Sequence, residues 1–161
     1  HVPLRPLISG GSSTTEVRSG TPAVALAQSL ACALELAVEE REARFAAVRR
    51  LNDRLRAALA QYPFVQINSP ENAVPHILNL SVAGVKGTVF QREMNKLGVC
   101  VSVRSACASD GRPSAAVMAV CGDRRRALSS WRVSLSHLTT DEEVSGFLAA
   151  FDRCCRALVK A

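Results

Sequence analysis

Ser129-Ser130-Trp131-Arg132-Val133-Ser134-Leu135-Ser136, followed two residues later by Thr139-Thr140-Asp141-Glu142-Glu143-Val144, decides the architecture. Trp131, Val133 and Leu135 alternate with polar residues, which reads as a strand with one buried face. Thr140 and Glu143 stand three apart ahead of an apolar-periodic run, the capping-box signature of a helix start. In that helix Val144, Phe147, Leu148, Phe151, Cys155 and Leu158 form one stripe. A strand leading into a capped amphipathic helix is a unit of a small sheet covered by helices.

Working outward, the rest of the chain agrees. Phe64 to Asn68 and His76 to Val82 alternate as strands, and Val99 to Val103 reads as another. Gly87 to Leu97 reads as a helix stopped by Gly98. Pro113 opens a short helix closed by Gly122, and Arg124 to Leu128 gives a further helical turn. Upstream, Thr21-Pro22 offers an N-cap and a first-turn proline. From there a helical pattern runs to about Gln61, with Phe45, Val48, Leu51, Leu55 and Leu59 on one face. A helix this long is unusual in a globular domain, so a break near Val38 to Glu42 is expected. Residues 1–20 read as an extended segment and a loop. The fold class is therefore α/β (α+β): a small sheet flanked by helices, with a long leading helix.

The chain has 161 residues, 48% of them hydrophobic and 4% aromatic, so a core of Ala, Val and Leu is expected. The net charge of +6 is carried almost entirely by arginine, because Lys86, Lys96 and Lys160 are the only lysines. The Arg124-Arg125-Arg126 run reads as a solvated face. The charge is spread over helices and few aromatics are available to stack bases, so nucleic acid is not the expected partner. Ala23 to Val38 is interrupted by Gln28, Ser29 and Glu35, and it reads as a buried helix against a domain or subunit neighbour rather than a membrane span. Six cysteines, at 32, 100, 107, 121, 154 and 155, form no C-x-x-C pair and no zinc set, so no metal is expected. A reducing, cytoplasmic setting follows.

Three residues are candidates for chemistry. Cys107 lies in Val103-Arg104-Ser105-Ala106-Cys107-Ala108-Ser109-Asp110-Gly111, whose small polar residues suit an exposed loop. Arg104 would favour its thiolate. A cysteine is also a small buried hydrophobe, and the residues alone leave both readings open. The other five sit in apolar contexts and read as structural. Arg132 shares a polar strand face with Ser130 and Ser134. It can pair a neighbouring acid, the reading its immediate context favours, or hold a carboxylate through its planar fork. Thr21, at the end of Arg18-Ser19-Gly20-Thr21, stands at a helix N-terminus, a generic anion site, although the residues by themselves favour plain helix capping. His76 and His137 read as structural or surface residues.

Taken in order, these segments resemble the C-terminal part of the cysteine desulfurases, the NifS-like relatives of the class V aminotransferases. Four stretches carry the likeness: Gly10-Gly11 through Arg18-Ser19-Gly20-Thr21-Pro22; Pro75-His76-Ile77-Leu78-Asn79-Leu80-Ser81; Ser105-Ala106-Cys107-Ala108-Ser109; and the strand and capping box quoted first. The resemblance implies the small C-terminal domain of a type I pyridoxal-phosphate aminotransferase fold. Residues 1–21 would come from the end of the large cofactor domain. Residues 22–161 would form the small domain, with its catalytic-cysteine loop at about 104–113. It implies pyridoxal 5'-phosphate as cofactor, L-cysteine as substrate, Cys107 as the nucleophile that becomes a persulfide, Arg132 as the carboxylate clamp and Thr21 as a cofactor-phosphate contact across a homodimer. A sulfur-acceptor protein would then serve iron–sulfur cluster or thio-cofactor synthesis. The family's Schiff-base lysine follows a serine and a histidine, a setting none of the three lysines has, so the chain is expected to begin after it and to be inactive alone. Arg104 replaces the usual glycine, and Ser12-Ser13-Thr14-Thr15-Glu16 departs from the usual Gly-Gly continuation. Selenocysteine lyase or another class V aminotransferase is the neighbouring alternative, and a non-catalytic basic sulfur-carrier or tRNA-binding module the distant one.

Overall fold

The structure, a computed structural model, describes residues 3–11, 17–103 and 112–159. It divides into two units, His1–Arg41 and Glu42–Ala161.

In the first unit an extended segment carries a single parallel bridge between Ile8 and Arg18. The Ser19 backbone N–H and hydroxyl both donate to the Ile8 carbonyl, at 3.4 and 3.3 Å. Helix α1 spans Val24–Glu39. Its N-cap is Ala23, with no side-chain cap, so Thr21 does not serve as the cap the Thr-Pro pair suggested. Ala23 sits at φ −79°, ψ 71°, outside the helical region, so the first turn starts two residues later than proline alone would allow. The helix ends at Glu39 with Glu40 as its C-cap, inside the expected break, and α2 begins at Arg41.

The second unit is built on a three-stranded antiparallel sheet in the order β1 (Val65–Ile67), β2 (Ile77–Val82), β3 (Ser130–Ser134). Register pairs Leu78 with Val133 and Leu80 with Trp131, so those four side chains share one face. That face is covered by α2 (Arg41–Leu59), α3 (Gly87–Lys96) and α6 (Asp141–Leu158). Helix α2 buries Val48, Leu51, Leu55 and Leu59, the expected stripe. Phe45 falls outside it, 41% exposed, with the Arg49 guanidinium 5.6 Å from its ring centre. Asn52 is buried instead. It donates to the Pro75 carbonyl (2.8 Å) and accepts from Arg56 Nε (2.7 Å), which satisfies it in the core.

The core is not purely aliphatic. Phe90 stacks on Trp131 at 5.0 Å and 14°, and Phe151 lies 5.3 Å from Phe90 and 5.2 Å from Tyr62. Few aromatics were available, but most were spent in one place. Each such ring removes a large apolar area from water, roughly 1.5–3 kcal/mol per side chain. The capping box of α6 is present in both directions. Asp141, in its first turn, receives Arg50 (2.9 Å) and Arg54 (3.0 Å) from α2. The hydrogen bond from Arg50 holds the Asp141 carboxyl below the usual range.

On the opposite face of the sheet lie two short helices, α4 (Ala115–Cys121) and α5 (Arg124–Ser129). Ser81 Oγ donates to the Arg126 carbonyl at 2.8 Å, which ties α5 to β2. Arg126 is not a solvated residue. Its Nε and Nη2 donate to Asn68 Oδ1 (2.5 Å) and the Ile67 carbonyl (3.0 Å). Arg124 and Arg125 are exposed as expected.

Candidate functional site

Arg132 lies in the middle of β3, opposite Asn79, on the face turned away from the aromatic core. Its backbone is fixed by Ser102: Arg132 N–H donates to the Ser102 carbonyl (2.7 Å) and Ser102 N–H to the Arg132 carbonyl (3.1 Å). The expected strand at Val99–Val103 is therefore reduced to this one bridge. Gln91 Nε2 takes the neighbouring Val101 carbonyl at 2.8 Å, which diverts the segment from further pairing. Gly87 at the start of α3 completes the junction. A Cβ there would collide with the Ser130 carbonyl and sit 3.3 Å from Val103 Cγ1, so only glycine lets α3 approach β3 this closely.

The side chain of Arg132 makes no ion pair among the described residues. Its Nε is buried with no hydrogen-bond partner. Among the described residues the structural acid pair favoured by its immediate sequence context is absent. Cys107 and Arg104 lie outside the described residues, as does Lys160. Thr21 belongs to the first unit and is exposed. Lys96 is held by Glu93, with both carboxylate oxygens at 2.9 Å, and Lys86 occupies the N-cap position of α3.

The remaining cysteines separate by environment. Cys154 and Cys155 are buried in α6, and burial pushes the Cys155 thiol up to about 12. Such a thiol stays protonated and inert. Cys32 and Cys100 are exposed, contrary to their apolar sequence contexts; Cys100 Sγ lies 3.5 Å from Asn95 Oδ1. His76 rests against Phe45 with its Nδ1 buried and unpartnered, and His137 is exposed.

Two cavities flank this region. One, about 440 Å³, opens between residues 97–101, the end of β3 and the start of α6; apart from Cys100, Ser134, Thr139 and Glu143 its lining is apolar or glycine. Glu143 is committed to the capping box. The other, about 310 Å³, is lined by Lys86, Thr88, Val103, Arg112, Arg124, Ala127 and Leu128. Its residues are scattered over some forty positions, and no local spacing in the sequence brings them together. Among the described residues no group of three His, Cys, Asp or Glu could hold a metal ion. No helix among them is long and apolar enough to cross a membrane.

Comparison with known proteins bears on the whole chain. The IscS-like cysteine desulfurase of Mycobacterium tuberculosis is 33% identical over 147 residues, covering 89% of this chain and 37% of that protein. The cysteine desulfurase NifS of Azotobacter vinelandii is 33% identical over 145 residues, covering 88% and 36%. A solved NifS-like protein superposes with a TM-score of 0.79 at 31% identity, covering 98% of this chain and 40% of that one. The chain thus spans well under half the length of these relatives. The sequence pattern of the family described as aminotransferase class-V matches residues 8–147. That match covers the bridge at Ile8, the β3 strand around Arg132 and the first turns of α6, and the chain belongs to the aminotransferase class-V family.

Proposed function

We propose that this chain is the small-domain part of a cysteine desulfurase-like enzyme. The observation that carries the reading is Arg132: a guanidinium on a strand, with a buried unpartnered Nε and no ion pair among the described residues. Burying that donor without a partner costs free energy unless a ligand completes it. The carboxylate of an amino acid would do so through the planar fork of Arg132. Cys107 follows Ser102, which is bonded to Arg132, by five positions, so its Cα lies at most about 18 Å from that of Ser102. A tether this short suits a thiol that attacks the sulfur of a substrate held by its carboxylate.

The chain's part in the reaction is as follows. Arg132 orients L-cysteine by its carboxylate. The Cys107 thiolate attacks the substrate sulfur, forming an S–S bond while the substrate Cβ–S bond breaks. The electron pair stays with the carbon, which takes up a proton, so L-alanine leaves and Cys107 carries the persulfide. Pyridoxal phosphate, when bound, supplies the electron sink that makes this cleavage accessible. Thr21 would hold its phosphate. A phosphate suits that position, because the exposed Thr21 hydroxyl follows Gly20, against which the Arg18 guanidinium lies, its Nη1 2.9 Å from where a Cβ would stand. Neither Lys86 nor Lys96 follows a serine and a histidine, so the Schiff-base lysine would come from outside these residues. A homodimer, a sulfur-acceptor protein serving iron–sulfur or thio-cofactor synthesis, and a cytoplasmic site belong to the same reading.

The test uses a full-length protein carrying this chain, assayed for sulfide and alanine from L-cysteine. Cys107→Ala is expected to abolish both, and Arg132→Lys to raise KM for cysteine by about tenfold or more. The 161 residues alone, given pyridoxal phosphate and cysteine, are expected to release no alanine. Undiminished turnover in Cys107→Ala would sink the reading. Release of selenide from selenocysteine without sulfide from cysteine would move it to a selenocysteine lyase.

A further inference from the structure

The 310 Å³ cavity lined by Lys86, Thr88, Val103, Arg112, Arg124, Ala127 and Leu128 has no part in the chemistry proposed above. Its three cations come from three separate places: the N-cap of α3, the residue before Pro113, and the first residue of α5. All three are exposed, and no carboxylate is among the described residues that line the cavity. Neither Lys86 nor Arg124 makes an ion pair among the described residues. The floor is different in kind. Val103, Ala127 and Leu128 are apolar, and Ala127 is buried beneath them.

A cationic rim over a small apolar floor selects its occupant. A bare inorganic anion would leave the floor wet. A nucleic acid would want an aromatic platform, and no aromatic residue lines the cavity. An acidic peptide that carries an aliphatic side chain between carboxylates satisfies both parts. The net charge of +6 favours its approach over that of a basic or neutral segment. We infer that this cavity is a docking pocket for an acidic segment of a partner protein. An aliphatic side chain seats on Val103, Ala127 and Leu128, and the flanking carboxylates are held by Lys86 and Arg124. The inference does not depend on the desulfurase reading, since it invokes neither Cys107 nor Arg132.

The test is fluorescence anisotropy of the 161-residue chain with a fluorescein-labelled short peptide of Leu residues set between Asp and Glu. Binding is expected, weakening severalfold when salt is raised from about 0.05 to about 0.3 M. Lys86→Glu and Arg124→Glu are each expected to weaken it about tenfold. Arg153→Glu makes the same charge change at an exposed position on α6 and should alter binding less than about twofold. Exchanging the peptide's Leu for Ser should cost severalfold through the lost floor contact. Where a glutamate variant shifts the thermal unfolding midpoint, Lys86→Gln and Arg124→Gln replace it, with a loss of about threefold. The inference is overturned by equal weakening in Arg153→Glu, by equal binding of a peptide with Gln and Asn in place of its acids, or by no binding. It is also overturned if a single-stranded oligoribonucleotide displaces the peptide and loses its own binding on the same substitutions.

Discussion

Helices α1 and α6 are nearly the same length, 16 and 18 residues, and both carry many apolar side chains. Helix α6 buries six residues; α1 buries none. In α6 the apolar positions fall where Trp131 and Phe90 wait for them, and the polar face carries Asp141, Glu142 and Glu143 in the first turn. In α1 Leu26, Leu30, Leu34 and Val38 recur every fourth residue and form a row along the helix, 57–75% exposed. Apolar content therefore does not make a core. A core needs a second apolar face at the right spacing, which α6 has and α1, among the described residues, does not.

The sharpest way to break this comparison is to delete equivalent bulk from each helix. Phe151 is fully buried and touches the rings of Tyr62, Phe90, Trp131 and Phe147. Phe151→Ala is expected to cost about 3–5 kcal/mol in urea unfolding, near the whole stability of a unit this size. A loss below about 1 kcal/mol would mean that α6 is no better packed than α1.

Alkaline titration sharpens the same contrast. The Cys155 thiol ionises near 9.0 when unfolded and near 12 in α6, because burial disfavours the thiolate. Below pH 9 both states keep the proton, and the group adds no pH dependence. Between 9 and 12 unfolding releases it, so stability falls as pH rises. Cys155→Ala should flatten the decline of the urea midpoint over that range. A smaller effect belongs to the capping box. Thr140→Ala removes the acceptor for the Glu143 N–H (3.2 Å) and should cost about 1 kcal/mol, which Thr140→Asp restores.

Much of α6 and its neighbours was legible because the signals are local. Thr140 and Glu143 cap within one turn, and Gly98 and Gly122 adopt the left-handed φ values, 77° and 65°, that a helix stop asks of glycine. The break at Glu40 was legible from length alone. The sequence misled where tertiary contacts override local preference. Val99 to Val103 alternates like a strand, but Gln91 takes its carbonyl and leaves only Ser102 to pair. Asn52 is polar yet buried, because Pro75 and Arg56 satisfy it inside, which no local pattern signals. The candidate site was legible in part. Arg132 stood out by its strand, but its Nε, buried and unpartnered among the described residues, is a tertiary feature that spacing does not report. The cavity of Lys86, Arg112 and Arg124 joins residues that nothing in their local patterns connects.

The smallest effect on stability is the most telling about α1. Leu30 and Leu34 are 62% and 57% exposed, so replacing both with Gln removes little buried area and should change the urea midpoint by less than about 0.5 kcal/mol. Their row is nonetheless a continuous apolar strip of the kind that drives association. Sedimentation velocity of the unaltered chain is expected to show concentration-dependent self-association, and the Leu30→Gln, Leu34→Gln double variant to sediment as a monomer at the same concentrations. The two readouts answer different questions. A loss of stability above about 2 kcal/mol would mean that α1 buries this row within its own chain, and the contrast with α6 would disappear. Unchanged stability with lost association would assign the row to a surface between molecules, where apolar side chains find the second face that α6 finds within its own fold.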